Sequence, residues 1–153
     1  MKIIDLLNPA AIVPDLRALD KNGALEELAD ALVAVEQGLN RQEVLQVLQE
    51  RERLGSTGIG EGVAIPHGKL PAIDRLFIAF GRSGAGIEFD SMDGRPARLF
   101  FLLLAPEDCV GVHLKTLARI SKLLKSSAVR NRLLEAAGYE EIYRIISEEE
   151  DNL

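Results

Sequence analysis

Cysteine and tryptophan are all but missing from this chain. Cys109 is the one cysteine among 153 residues, and there is no tryptophan. A single thiol excludes an internal disulfide and fits a reducing compartment, so a cytoplasmic location is expected. Two tyrosines and five phenylalanines are too few to build a stacking platform for single-stranded nucleic acid. A net charge of −6 argues against broad contact with nucleic-acid phosphates. No apolar run approaches the length needed to span a membrane. The opening stretch Met1-Lys-Ile-Ile-Asp-Leu-Leu turns acidic at Asp5 before a leader-like apolar core develops, so no signal peptide is expected. Histidine is scarce too, with only His67 and His113.

What is present reads as one α/β domain over 1–153, long enough to bury most of its apolar surface without staples. After an opening segment with a short strand around Ile12-Val13, apolar residues recur at Leu25, Leu28, Leu32 and Val35. That spacing predicts a helix from Asn22, closed by Gly38. Asn40 then reads as an N-cap, with Glu43 completing a capping box. The helix that follows carries Val44, Val47, Leu48 and Leu54 on one side and ends at Gly55. Strands are expected over Arg75–Gly81, at the edge over Ile87–Phe89, and centrally over Arg98–Leu104, with a turn at Asp93-Gly94. Asp90-x-x-Asp93-Gly94 lacks the later ligands of a calcium loop and reads as a plain turn. Pro106-Glu-Asp-Cys opens a helix whose inward stripe is His113, Leu117, Ile120 and Leu124. Its Lys115, Arg119 and Lys122 read as a solvated basic face. Helices are expected over Ala128–Ala136 and Tyr139–Ile146, followed by a frayed Glu148–Asp151 tail.

The chemistry concentrates between Gly55 and Lys69, where Gly55, Gly58, Gly60 and Gly62 lead into Val63-Ala-Ile65, Pro66 and His67. Glycines admit positive φ and let backbone N–H groups approach a ligand. Val-Ala-Ile reads as a buried strand that Pro66 stops, which would leave His67 on a loop at the mouth of a sheet. The glycine spacing is not the dinucleotide fingerprint. Gly62 to Gly68-Lys69 is one residue too long for a P-loop and has Leu70 where that motif needs Ser or Thr. A nucleophilic or ligating His67 survives. Arg51 falls seven residues after Val44 on the apolar stripe of its helix, where a guanidinium either snorkels to the rim or meets an anion. His113 lies in the first turn of its helix on the core-facing side, near an N-terminus that favours anions. These three residues suit phosphoryl relay: a neutral imidazole, a cation and a second imidazole. A metal-binding module is the other reading, with Cys109, His113 and His67 as ligands and Glu107 or Asp108 as a fourth. It ranks second because Arg51 would oppose a metal ion.

The stretch Arg51–Lys69 resembles the active-site signature of the type-2 enzyme IIA domains of the bacterial phosphoenolpyruvate-dependent phosphotransferase system, in the fructose/mannitol/nitrogen branch. A second block is similar to the rest of that domain, from Ile87–Gly94 through Leu99–Pro106 to His113–Ala118. The resemblance implies a three-layer α/β/α sandwich around a mixed sheet. It places His67 on the family's phosphorylated histidine, with Nε2 as acceptor, and Arg51 and His113 on the residues that flank the phosphoryl group. It implies no cofactor and no metal. It further implies a histidine phosphocarrier protein as donor and either regulatory targets or a IIB cysteine downstream. Gly-Ser-Thr-Gly-Ile-Gly-x-Gly ahead of the strand looks most like the nitrogen-type regulatory members.

Overall fold

The computed structural model describes residues 2–153; Met1, the first residue of the stretch read above for a leader, lies outside them. In chain order the described elements begin with α1 (Ile3–Leu6), β1 (Leu7–Val13), α2 (Lys21–Val35) and α3 (Arg41–Leu54). The middle of the chain supplies β2 (Gly58–Gly60), β3 (Val63–Ala64), β4 (His67–Leu70), β5 (Phe77–Ile87) and β6 (Ala97–Pro106). Three helices close it: α4 (Val110–Lys125), α5 (Ser127–Glu135) and α6 (Tyr139–Glu150). No helix among these residues is long and apolar enough to cross a membrane.

The sheet is mixed and runs β1-β5-β6-β3-β2, with β4 paired to β6 beyond β3. β5 and β6 are antiparallel, whereas β1 on β5 and both β3 and β4 on β6 are parallel. The Leu-Phe-Phe-Leu-Leu-Leu run explains why β6 is central, since every residue from Leu99 to Ala105 is buried. Side chains of β6 alternate between two cores. Leu99, Phe101 and Leu103 face α4, α5 and α6, while Phe100, Leu102 and Leu104 face α2 and α3. This is the expected three-layer α/β/α sandwich.

Local chemistry sets the helix ends. The Asp20 side chain accepts from Gly23 N–H at the start of α2, and Asn40 accepts from Glu43 N–H at the start of α3. Each cap contributes about 1 kcal/mol. Only the Asn40 half of the expected capping box forms. α2 ends at Val35, and Gly38 lies past the cap in a turn with φ +88°.

Several sequence expectations fail for tertiary reasons. Ile87–Phe89 is no separate edge strand, because Ile87 pairs with Ala97 as the last residue of β5, beyond a register shift. Leu54 does not join the buried stripe; it is 85% exposed. The Glu148–Asp151 tail is not frayed. α6 continues to Glu150, whose carboxylate is buried and accepts from Ile3 N–H at 2.5 Å and Ile4 N–H at 3.3 Å. Arg119 is correspondingly only partly solvated and donates to Glu150 at 2.5 Å. Lys115 and Lys122 are exposed as expected.

Candidate active site

Pro66 interrupts β3 without ending the alignment on β6. Its carbonyl accepts from Leu103 N–H at 2.9 Å, and His67 pairs opposite Leu103 as the first residue of β4. His67 therefore stands on a strand and not on the loop that Pro66 suggests. A parallel neighbour can pick up the ladder one residue after a missing N–H, which the sequence alone does not show. Gly68 allows the next step: a Cβ there would lie 2.8 Å from Val47 Cγ2, so its absence lets β4 press against α3. The same packing brings Arg51, in the last turn of α3, to the cavity that holds His67.

The His67 ring is oriented by its own strand. Nδ1 lies 2.8 Å from the Ile65 carbonyl. A carbonyl only accepts, so Nδ1 carries the hydrogen and Nε2 carries the lone pair. Burial is the main cause that pushes the pKa of His67 below its ordinary value, opposed by the Ile65 bond and reinforced by Arg51 and Lys69. The ring is thus neutral at physiological pH, with Nε2 as its nucleophilic atom.

His113 stands across from it, the ring centroids 5.5 Å apart and the planes at 85°. α4 begins at Val110, so His113 occupies the end of its first turn and is 4% exposed. Burial, then the charge that His67 carries once acid protonates it and the charge of Lys69, lower its pKa to about 4. Its Nε2 is buried without a hydrogen-bond partner. An orphaned imidazole nitrogen normally costs stability, so its position beside His67 has the character of a functional site. Arg51 donates from NH1 to the Gly55 carbonyl at 2.9 Å, which closes the end of α3 and anchors one edge of the guanidinium.

The structure thus lines one cavity of about 710 Å³ with Arg51, His67 and His113. Two features escaped the sequence reading. Lys69 lines the same cavity, and the strand period of two that puts residues 67 and 69 on one side was the available signal. Leu54, Val110 and Leu114 form an exposed apolar rim, for which no local pattern gives a signal. The glycine run does not serve as a cradle here. Gly58 and Gly60 pack against Ser91 and Asp93, and residues 60–62 make a tight turn with positive φ throughout. They fix the β2–β3 hairpin, and only Gly68 lines the cavity. The metal reading finds no support in the geometry. Cys109 occupies the N-cap position of α4 without a side-chain capping bond, its thiol 3.6 Å from Asp108, and no group of three or more His, Cys, Asp or Glu that could hold a metal occurs among the described residues.

Residues 5–149 match the family model described as phosphoenolpyruvate-dependent sugar phosphotransferase system, EIIA 2. A nitrogen regulatory protein of Bradyrhizobium diazoefficiens is 46% identical over 147 residues, covering 96% of this chain and 95% of that one. The fructose-specific EIIABC component of Bacillus subtilis is 38% identical over 97% of this chain, which corresponds to 23% of that longer protein. Among solved structures, the nitrogen regulatory protein IIA-Ntr from Neisseria meningitidis superposes with a TM-score of 0.88 at 35% identity, covering 94% of this chain and 98% of that one.

Proposed function

This chain belongs to the EIIA 2 family of the phosphoenolpyruvate-dependent sugar phosphotransferase system, and from that premise we propose that it is a phosphocarrier that accepts a phosphoryl group on His67 from a histidine phosphocarrier protein. One observation carries the assignment: the Nδ1 bond to the Ile65 carbonyl leaves Nε2 as the free nucleophile of a neutral ring. Nε2 donates its lone pair to phosphorus as the bond to the donor's imidazole breaks, and the donor nitrogen keeps that electron pair. The proton stays on Nδ1, hydrogen-bonded to the Ile65 carbonyl, and that bond supports the charge that the ring gains.

Such a transfer is mostly positioning and electrostatics. Arg51 and Lys69 supply positive charge for the phosphoryl oxygens, and the unpartnered His113 Nε2 is free to donate to one of them. The apolar rim of Leu54, Val110 and Leu114 offers the donor protein a docking surface around the histidine. The whole of 1–153 acts as one such domain in the cytoplasm. Its phosphorylation state controls binding to regulatory target proteins, in keeping with the nitrogen regulatory relatives. The identity to the fructose-specific component supports a second reading, in which the phosphoryl group passes to a IIB cysteine.

Incubation with phosphoenolpyruvate, enzyme I and the histidine phosphocarrier protein, followed by intact-mass measurement, tests the proposal. One phosphoryl group is expected on the wild-type chain and on His113→Ala, more slowly on the latter, and none on His67→Ala. Incorporation by His67→Ala overturns it. Loss of the group on adding a IIB domain selects the second reading.

A further inference from the structure

At the other end of β6 the turn of residues 60–62 closes a second cavity of about 380 Å³ against α5. Arg98 lies five residues before Leu103, the partner of His67, which places this cavity roughly 16 Å along the strand from the imidazole. The two cavities have no lining residue in common. Three arginines line the second one: Arg95, Arg98 and Arg130.

The carboxylates that face these arginines leave a surplus of positive charge. Glu61 Oε2 stands 3.7 Å from both Arg95 NH1 and Arg130 NH2, beyond hydrogen-bond distance of either. Asp93 is 4.0 Å from Arg95 and is already committed to the backbone N–H groups of Glu61 and Arg95. Arg98 forms no ion pair among the described residues. Three arginines against two carboxylates, one of them committed to backbone N–H groups, concentrate positive charge on a chain whose net charge is −6.

Arg130 is also preorganised. Its side chain is 16% exposed, and NH1 donates to the Leu124 and Lys125 carbonyls at 2.8 and 2.9 Å. Those bonds hold one edge of the fork against the end of α4 and leave NH2 turned toward the cavity. A fixed fork loses little freedom on meeting a planar or tetrahedral oxyanion. Glu61 itself is held at φ +57°, an uncommon conformation for a residue with a side chain, and its carboxylate sits at the cavity between two arginines.

We infer that Arg95, Arg98 and Arg130 form a second anion-binding site, separate from the His67 cavity, which takes a phosphate group that displaces Glu61. The volume suits inorganic phosphate or the phosphate end of a small phosphorylated metabolite, and it is too small for a dinucleotide. Displacing one carboxylate frees both arginines that it contacts, so removing its charge should tighten binding.

The test is an amide chemical-shift titration of the full chain at neutral pH and constant ionic strength, with inorganic phosphate in one arm and a hexose phosphate in the other. Saturable shifts are expected at Gly62, Arg98 and Asn131, in wild type and in His67→Ala alike. Arg98→Gln, an exposed substitution that the fold tolerates, should weaken binding about tenfold, whereas Glu61→Gln should tighten it about threefold. Equal affinity in the two arms identifies bare phosphate as the ligand, and tighter binding of the hexose phosphate identifies a phosphorylated metabolite. Shifts confined to Gly68 and His113 that vanish in His67→Ala overturn the site. Non-saturating shifts that ignore Arg98→Gln overturn it as well.

Discussion

α4 meets two buried polar groups fewer than two helical turns apart and treats them differently. At Arg119 it closes on the Glu150 carboxylate, which also takes the N–H groups of Ile3 and Ile4. At His113 it presents a buried imidazole whose Nε2 meets nothing. The first arrangement joins both ends of the chain to the helix, and the nearby pair of Lys2 and Asp151 at 2.6 Å adds to it. Both oxygens of the buried carboxylate have partners there, so the group supports the fold. At His113 a buried ring nitrogen has no partner, an arrangement that costs stability and that its proposed role beside the phosphoryl group would explain. One helix thus carries a satisfied polar group and an unsatisfied one on neighbouring turns, and the difference between them can be measured.

The largest effect is expected where the buried carboxylate is removed. Glu150→Ala leaves Arg119 and two N–H groups at the start of α1 without their partner. Breaking such a group costs about 3 kcal/mol, reduced from the upper range because Arg119 is partly exposed. Urea denaturation should register that loss, while the folded variant accepts a phosphoryl group at the wild-type rate. A rate that falls with stability would show that the two turns of α4 are not independent.

His113 predicts a pH signature of similar size and opposite origin. Its folded pKa of about 4 lies below the ordinary histidine value, so the unfolded chain binds the extra proton more readily. Its contribution is therefore fully present above pH ~6.5 and is lost as pH falls toward about 4, up to about 3 kcal/mol. His67, shifted in the same direction, adds to the upper part of that window. His113→Leu should flatten the acid limb of the stability curve without weakening the fold at neutral pH, and should slow phosphotransfer about a hundredfold. An unchanged acid limb in His113→Leu would mean that this buried imidazole is satisfied after all.

The smallest change in stability belongs to Arg51, whose guanidinium also closes α3. Arg51→Lys keeps the charge but loses the planar fork and its bond to Gly55, at about 1 kcal/mol or less. Phosphotransfer should still slow about tenfold, since roughly 1.4 kcal/mol of transition-state stabilisation suffices for that. Kinetics and thermal melts on one sample separate the two effects. A wild-type rate would assign Arg51 to capping the helix alone.

Much of this site was legible in the residues, because the signals were local. Asn40 caps α3, Gly55 ends it, and the apolar spacing of Val44 and Leu48 already turned Arg51 toward the sheet. The six-residue apolar run of β6 marked the central strand. His67 after Pro66, and His113 on an inward stripe, stood out because the chain has no other histidine. Where the outcome depended on partners distant in sequence, the residues gave no warning. The Glu148–Asp151 tail looked frayed because the groups that satisfy Glu150 lie 31 and 147 residues away. The glycines looked like a ligand cradle because their real neighbours, Ser91 and Asp93, belong to another loop.

The sequence by itself determined the start and end of α3, the core strand and the family signature, and it singled out the candidate site residues, all of which follow from propensity, periodicity and capping within a few residues. Only the tertiary structure decided that His67 continues the sheet, that its Nδ1 is held by Ile65 so that Nε2 is free, and that His113 faces it 5.5 Å away. The physical reason is that a tautomer, a desolvated pKa and an orphaned nitrogen are properties of a surrounding volume, and that volume is assembled by β4, α3 and α4 from three separate parts of the chain.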